Sequence, residues 1–130
     1  MQIANWMTRD PVCITRQDTL ARAKELMDAG QFRRLPVIDN DKLVGIVTER
    51  DLRQHSDYLD STKVDAAMTP DPVTITPRVT AEDVARLLLQ HKIGGLPVVE
   101  NGKLVGIVST SDLLRAFLKV VQAAEHIMDD

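Results

Sequence analysis

Leu35-Pro36-Val37 through Lys42-Leu43-Val44-Gly45-Ile46-Val47 returns, without a gap, as Leu96-Pro97-Val98 through Lys103-Leu104-Val105-Gly106-Ile107-Val108. The step from Gly45 to Gly106, 106 − 45, is 61 residues. The same step carries Met7-Thr8 onto Met68-Thr69, Asp10-Pro11-Val12 onto Asp71-Pro72-Val73, and Asp51-Leu52 onto Asp112-Leu113. A unit of about 60 residues buries a small fraction of its surface and is marginal alone. Two such units in one chain are therefore expected to share a body around a pseudo-two-fold axis, so that whatever one half binds, the pair can bind twice.

Each unit reads in the same order. Asp10-Pro11 leads into a short strand, Val12-Cys13-Ile14-Thr15, since proline lacks a donor and fits the first residue of an edge strand; the copy is Val73-Thr74-Ile75-Thr76. Leu20, Ala23, Leu26 and Met27 share one face of a helix predicted from about Thr19 to Asp28, with Gly30 as its stop. Ala81, Val84, Leu87 and Leu88 repeat that face, and Thr80 followed by Asp83 has the spacing of an N-terminal cap. Two apolar runs follow, separated by Asp39-Asn40-Asp41-Lys42 in one unit and Glu100-Asn101-Gly102-Lys103 in the other, and Asn-Gly signals a hairpin. Closing helices begin near Glu49 and Thr110. The expected fold is α/β (α+β), with two β-α-β-β-α repeats around a central cleft. Repeat 1 occupies residues 1–60, and repeat 2, with an extended last helix, residues 61–130.

At 44% hydrophobic and 27% charged, the 130-residue chain has the composition of an ordinary globular protein. A net charge of −3 supplies no field for nucleic acid or an anionic membrane. The single cysteine, Cys13, rules out an internal disulfide, and the opening residues lack the basic and apolar regions of a signal peptide. No apolar run approaches the roughly 20 residues of a membrane helix. The expected location is cytoplasmic, with neither nucleic acid nor membrane as partner.

Catalytic chemistry finds no support in the sequence. His55, His91 and His126 occupy unrelated repeat positions without metal-ligand spacing, and P-loop, dinucleotide and nucleophile-elbow patterns are absent. Cys13 aligns with Thr74 within a strand and reads as a packing residue. A non-enzyme without a metal site or catalytic cofactor is expected.

The last helix carries Leu113, Leu114, Phe117, Leu118, Val120, Val121, Ala124, Ile127 and Met128, more apolar surface than one face against a small domain requires. Phe117, Val121 and Met128 either fold back over their own core or face a second subunit. The expectation is a homodimer through helices that include residues 111–128.

The local pattern with chemical content is Gly45-Ile46-Val47-Thr48-Glu49-Arg50-Asp51, repeated as Gly106-Ile107-Val108-Ser109-Thr110-Ser111-Asp112. Both copies deliver a hydroxyl at a strand end and a carboxylate three residues later, in the first turn of a helix. Thr48 and Ser109 suffice as N-caps, and Asp51 and Asp112 as favourable first-turn acids. The copies diverge just before Leu-Pro, where Arg33-Arg34 in one stands against Gly94-Gly95 in the other. Gly94 and Gly95 either let the backbone approach a ligand or permit an unusual turn.

Taken together, the Met-Thr-x-x-Pro-Val starts, the mid-repeat Leu-Pro-Val and the closing Gly-to-Asp motif resemble the paired cystathionine β-synthase (CBS) domains, the Bateman module. The resemblance runs from about Met7 to Leu118. It implies stacked repeats whose cleft takes an adenosine-containing ligand: AMP, ADP or ATP, less often NAD or S-adenosylmethionine. Carried over, Asp51 and Asp112 bind ribose, with Thr48 and Ser109 adding hydroxyls. A carboxylate only accepts hydrogen bonds, so it can take both vicinal hydroxyl protons of a ribose. The base pocket falls to Val12, Ile14, Thr15 and Val37 in the first repeat and Val73, Ile75, Thr76 and Val98 in the second, although the valines and isoleucines serve equally as core. Phosphate falls to Arg33 and Arg34, helped by His91 and Lys92, if the arginines are more than solvated surface charges. The implied function is a stand-alone regulatory module that senses a nucleotide and acts on a separate protein. The alternative is a dimerisation platform without a physiological nucleotide.

Overall fold

The computed structural model describes residues 1–129; the side chains of Met128 and Asp129, and the whole of Asp130, lie outside the described residues. Strands β1 (Thr8–Arg9) and β2 (Ile14–Thr15) precede helix α1 (Leu20–Gly30), the hairpin β3 (Arg34–Asp39) and β4 (Lys42–Thr48), and helix α2 (Glu49–Gln54). The short helix α3 (Val64–Ala67) and strand β5 (Thr69–Pro70) lead to α4 (Ala81–His91), the hairpin β6 (Gly95–Glu100) and β7 (Lys103–Ser109), and the long α5 (Thr110–Asp129). One sheet has the order β2-β3-β4-β5, the other β1-β7-β6.

The elements form for local reasons that recur in both halves. Thr19 and Thr80 cap α1 and α4, each hydroxyl accepting a backbone N–H three residues on, at 3.2 and 3.1 Å. Both helices end in a left-handed residue, Gln31 (φ 56°) and Lys92 (φ 55°), so Gly30 closes α1 from inside and does not supply the left-handed turn. Asn40-Asp41 and Asn101-Gly102 hold positive φ at both central hairpin positions, as a type I′ turn requires. The predicted first strands are shorter than expected. Ile14 and Thr15 pair in parallel with Val37 and Ile38, while in the copy only Ile75 bridges to Val98. Pro11 and Pro72 have no N–H to offer, and the chain reaches its own sheet only after them.

Each hydrophobic core is built with a segment from the other half of the chain. The first holds Leu20, Leu35, Val37 and Val47 together with Val64; the second holds Val84, Leu96, Val98 and Val108 together with Ile3 and Met7. Ile3 donates its N–H to Val79 O at 2.8 Å, and its counterpart Val64 donates to Asp18 O at 2.8 Å. The exchange continues in the sheets, where β1 pairs with β7 and β5 with β4. Contiguous halves of the sequence and cores of the structure are therefore not the same sets of residues.

Gly45 and Gly106 make the exchange sterically possible. A Cβ on Gly45 would stand 2.5 Å from Met68 Sδ and 2.9 Å from Thr69 O; on Gly106 it would stand 2.7 Å from Met7 Sδ and 2.9 Å from Thr8 O. The glycine of the repeated motif is thus where the crossing strand lies against the sheet. Along α5, Ala116 is buried, whereas Phe117 is 61% and Ile127 74% exposed. The helix does not fold Phe117 back onto its own core. Among the described residues, no helix is long and apolar enough to cross a membrane.

Candidate functional site

Strand alternation sets the direction of the motif residues. Val47 and Val108 are fully buried in the two cores, so Ile46 with Thr48, and Ile107 with Ser109, turn to the opposite face, toward the space between the halves. Where β4 ends, Thr48 begins α2 through a reciprocal cap. Asp51 Oδ2 accepts the Thr48 N–H at 2.8 Å and its hydroxyl at 3.0 Å, and Asp51 N–H donates to Thr48 Oγ1 at 3.3 Å. Ser109 and Asp112 reproduce this at 2.8, 3.1 and 3.3 Å. Capping accounts for Oδ2 of both acids. Among the described residues Asp51 Oδ1 has no partner, whereas Asp112, 4% exposed, accepts from the Arg115 guanidinium at Oδ1.

Two cavities flank the pseudo-two-fold axis. One, of about 560 Å³, joins Thr48 and Asp51 to Thr69, Val73 and the segment from His91 to Gly95. The other, of about 410 Å³, joins Ser109 and Asp112 to Thr8, Val12 and the segment from Gln31 to Arg34. Both volumes fall within the range of small-molecule sites, about 300–1,000 Å³. Arg33 and Arg34 line both cavities, whereas His91 and Lys92 line only the first.

This arrangement corrects the pairing expected from the sequence. Val12 faces Asp112 and Val73 faces Asp51, the reverse of a grouping by repeat, because each chain segment entering a repeat first crosses the sheet of the other. Ile14, Val37, Ile75 and Val98 are buried in the cores and line neither cavity. Thr15 and Thr76 are exposed and also lie off both cavities; Thr15 holds Asp18 through its N–H and hydroxyl at 3.0 and 2.9 Å. Sequence reasoning missed Ile46 and Ile107, which alternation along the motif strands signals, and Arg115, one helical turn beyond Asp112 where repeat 1 has Gln54.

The divergent dipeptides fit one another. A Cβ on Gly94 would stand 2.6 Å from an Arg34 terminal nitrogen, and one on Gly95 2.7 Å from Arg34 Cδ. Neither glycine has a positive φ, so neither serves an unusual turn. They leave the space that Arg34 fills as it crosses the axis. Burial, and then the like charge of Arg33, pulls the Arg34 guanidinium below its ordinary pKa, with Asp112 partly offsetting both. Arginine nevertheless stays protonated, so a half-buried cation stands at the centre of the molecule. Among the described residues, no three His, Cys, Asp or Glu side chains gather as a metal-ligand set.

The CBS domain family model matches residues 3–58 and 64–119. The chain belongs to the CBS-domain family. A CBS domain-containing protein of Dictyostelium discoideum is 36% identical over 131 residues, covering 89% of this chain and 90% of its own length. Inosine-5′-monophosphate dehydrogenase of Korarchaeum cryptofilum is 36% identical over 110 residues, 84% of this chain. The chain spans only 23% of that enzyme's length, and the shared part is the CBS region. Among solved structures, CBSX2, a CBS-pair protein of Arabidopsis thaliana, was determined in complex with AMP. It superposes with a TM-score of 0.84 at 32% identity, covering 92% of this chain and 97% of CBSX2.

Proposed function

We propose that this CBS pair is a non-catalytic sensor of an adenosine nucleotide, AMP, ADP or ATP, held between its halves. The observation that carries the reading is the composition of the larger cavity. There, a carboxylate with one unpartnered oxygen stands in the same space as four arginines, a lysine and a histidine, with Glu49 as the one other acid. Asp51 Oδ1 takes the ribose hydroxyls, Thr48 steadies the acid, and Ile46 and Val73 border the base. Arg33, Arg34, His91 and Lys92 take the phosphates, for which the planar fork of arginine is suited. In the second cavity Asp112, Ser109 and Val12 stand in the equivalent roles, but ribose must displace Arg115 from Asp112. That arginine's side chain is 64% exposed and free to swing outward. The AMP-bound state of CBSX2 supports the ligand class.

A melting-temperature series with AMP, ADP, ATP, NAD and S-adenosylmethionine tests the proposal. A ligand at 100 times its dissociation constant stabilises the fold by about 2.7 kcal/mol. The expected result is a clear upward shift with at least one of AMP, ADP and ATP, reduced in Asp51→Asn. No shift with any of the five leaves the dimerisation platform as the better reading.

We further propose that a second copy of the chain covers the groove between α4 and α5. Leu89, Leu114 and Phe117 stand exposed there at 79, 57 and 61%. At the equivalent positions of the first repeat the chain has Asp28, Arg53 and Ser56, and Leu59 from its own connection packs over that side. One face is closed from within and polar; the other is open and apolar. A self-complementary pairing about a two-fold axis is the simplest way to cover it. A nucleotide sensor of this kind acts on a separate protein through the change in its surface.

A further inference from the structure

The repeats supply two cavities and one pair of phosphate-seeking arginines. Arg33 and Arg34 line both spaces, and the positions related to them by the repeat, Gly94 and Gly95, carry no charge. Arg34 occupies the space a second pair would need: a Cβ at 94 would stand 2.6 Å from its terminal nitrogen and one at 95 2.7 Å from its Cδ, so side chains there would require Arg34 to move. The charge at the axis is therefore single, although the fold around it is double.

We propose that the two cavities compete for Arg33 and Arg34, so that an anionic adenosine ligand in the Asp51 cavity weakens binding of a second one in the Asp112 cavity. The reading rests on the proposed nucleotide function and adds its regulation. The order of filling follows from the neighbours. The Asp51 cavity also contains Arg50, Arg53 and Lys92 against one further acid, Glu49, so it keeps a surplus of positive charge, and Asp51 has an unpartnered oxygen. The Asp112 cavity has Arg115 already engaged with its acid, and Asp10 adds a negative charge. A phosphate in the first cavity holds the shared guanidinium groups on that side. The second cavity is then left to bind ligand by its base and ribose contacts. A ligand without phosphate makes no demand on the arginines and fills both cavities independently. Such coupling is a free energy shared between sites, so each site weakens the other by the same factor.

Calorimetric titration of the full chain with AMP and with adenosine separates the cases. Asp51→Asn isolates the Asp112 cavity and Asp112→Asn isolates the Asp51 cavity, with circular dichroism confirming that each variant is folded. For AMP, the second step in the unsubstituted chain is expected to be weaker by about tenfold or more than binding to the Asp112 cavity alone, within the usual span of coupling between sites. For adenosine the same comparison is expected to agree within about twofold. Arg34→Gln, or Arg33→Gln should that variant not fold, removes the AMP-specific difference. Two AMP molecules binding with the constants of the isolated cavities overturn the sharing and leave the sensor intact. Equal weakening for AMP and adenosine also overturns it, by placing the coupling in the fold instead of the charge. Absence of binding by both ligands removes the nucleotide reading and this one with it.

Discussion

Asp51 and Asp112 are equivalent by sequence and unequal by company. Each caps its helix with one carboxylate oxygen, but only Asp51 keeps the other oxygen free of a partner within the described residues. The acids themselves were legible from the motif spacing; the difference between them was not, because it depends on Arg115 reaching back one helical turn. The same holds for Arg34 and its glycines. The difference between the two copies was visible in the sequence, while its cause, side chain against backbone across the axis, needed coordinates. At this scale the expected test is a double-mutant cycle. Gly95→Ala lowers the melting temperature by pushing on the Arg34 stem, and the loss is smaller in an Arg34→Ala background. Coupling between residues in direct contact is about 0.5–3 kcal/mol, and additive effects in chemical denaturation would refute the steric fit.

Among the elements, helices and hairpins followed their sequence signals closely, since capping threonines, the apolar face of each helix and positive-φ turn residues act over a few residues. The first strands did not. Val12 and Val73 carry β-branched side chains, yet pairing was decided by where the crossing chain meets its sheet. Helix α5 belongs to this scale as well. Its buried face is formed by residues such as Ala116, and its outward residues Leu114 and Phe117 join Leu89 of α4 in an apolar groove. Phe117→Glu together with Leu89→Glu is expected to shift the chain from dimer to monomer in sedimentation velocity, with helical content retained. A chain that sediments as a monomer before substitution would rule out the proposed second copy.

For the whole molecule, the decisive feature is reciprocal exchange. Val64 completes the core of the first half, and Ile3 that of the second. Ile3→Ala should therefore cost about 2–5 kcal/mol, as large-to-small changes at buried sites do. Its effect on amide exchange should appear chiefly in α4, β6 and β7, more than 70 positions away in the chain. Protection lost only near residues 1–9 would mean that the crossing segment is a peripheral strap. The exchange also explains why each cavity takes its walls from both halves. A ligand bound in either one touches the two halves at once, so it favours whichever relative setting of the halves gives the better contacts.

The sequence by itself determined what depends on short-range pattern: two copies at a 61-residue step, the order of helices and hairpins, the capped motif with its acids, and the place where the copies differ. Tertiary structure decided which segment serves which core, which valine faces which acid, and that one arginine pair stands between two cavities. The physical reason is that repeat identity constrains each unit's interior, whereas contacts across the axis are made between residues of different units. Such contacts leave no periodic signal along the chain. Arg34 lying over Gly94 and Gly95 is a contact of that kind.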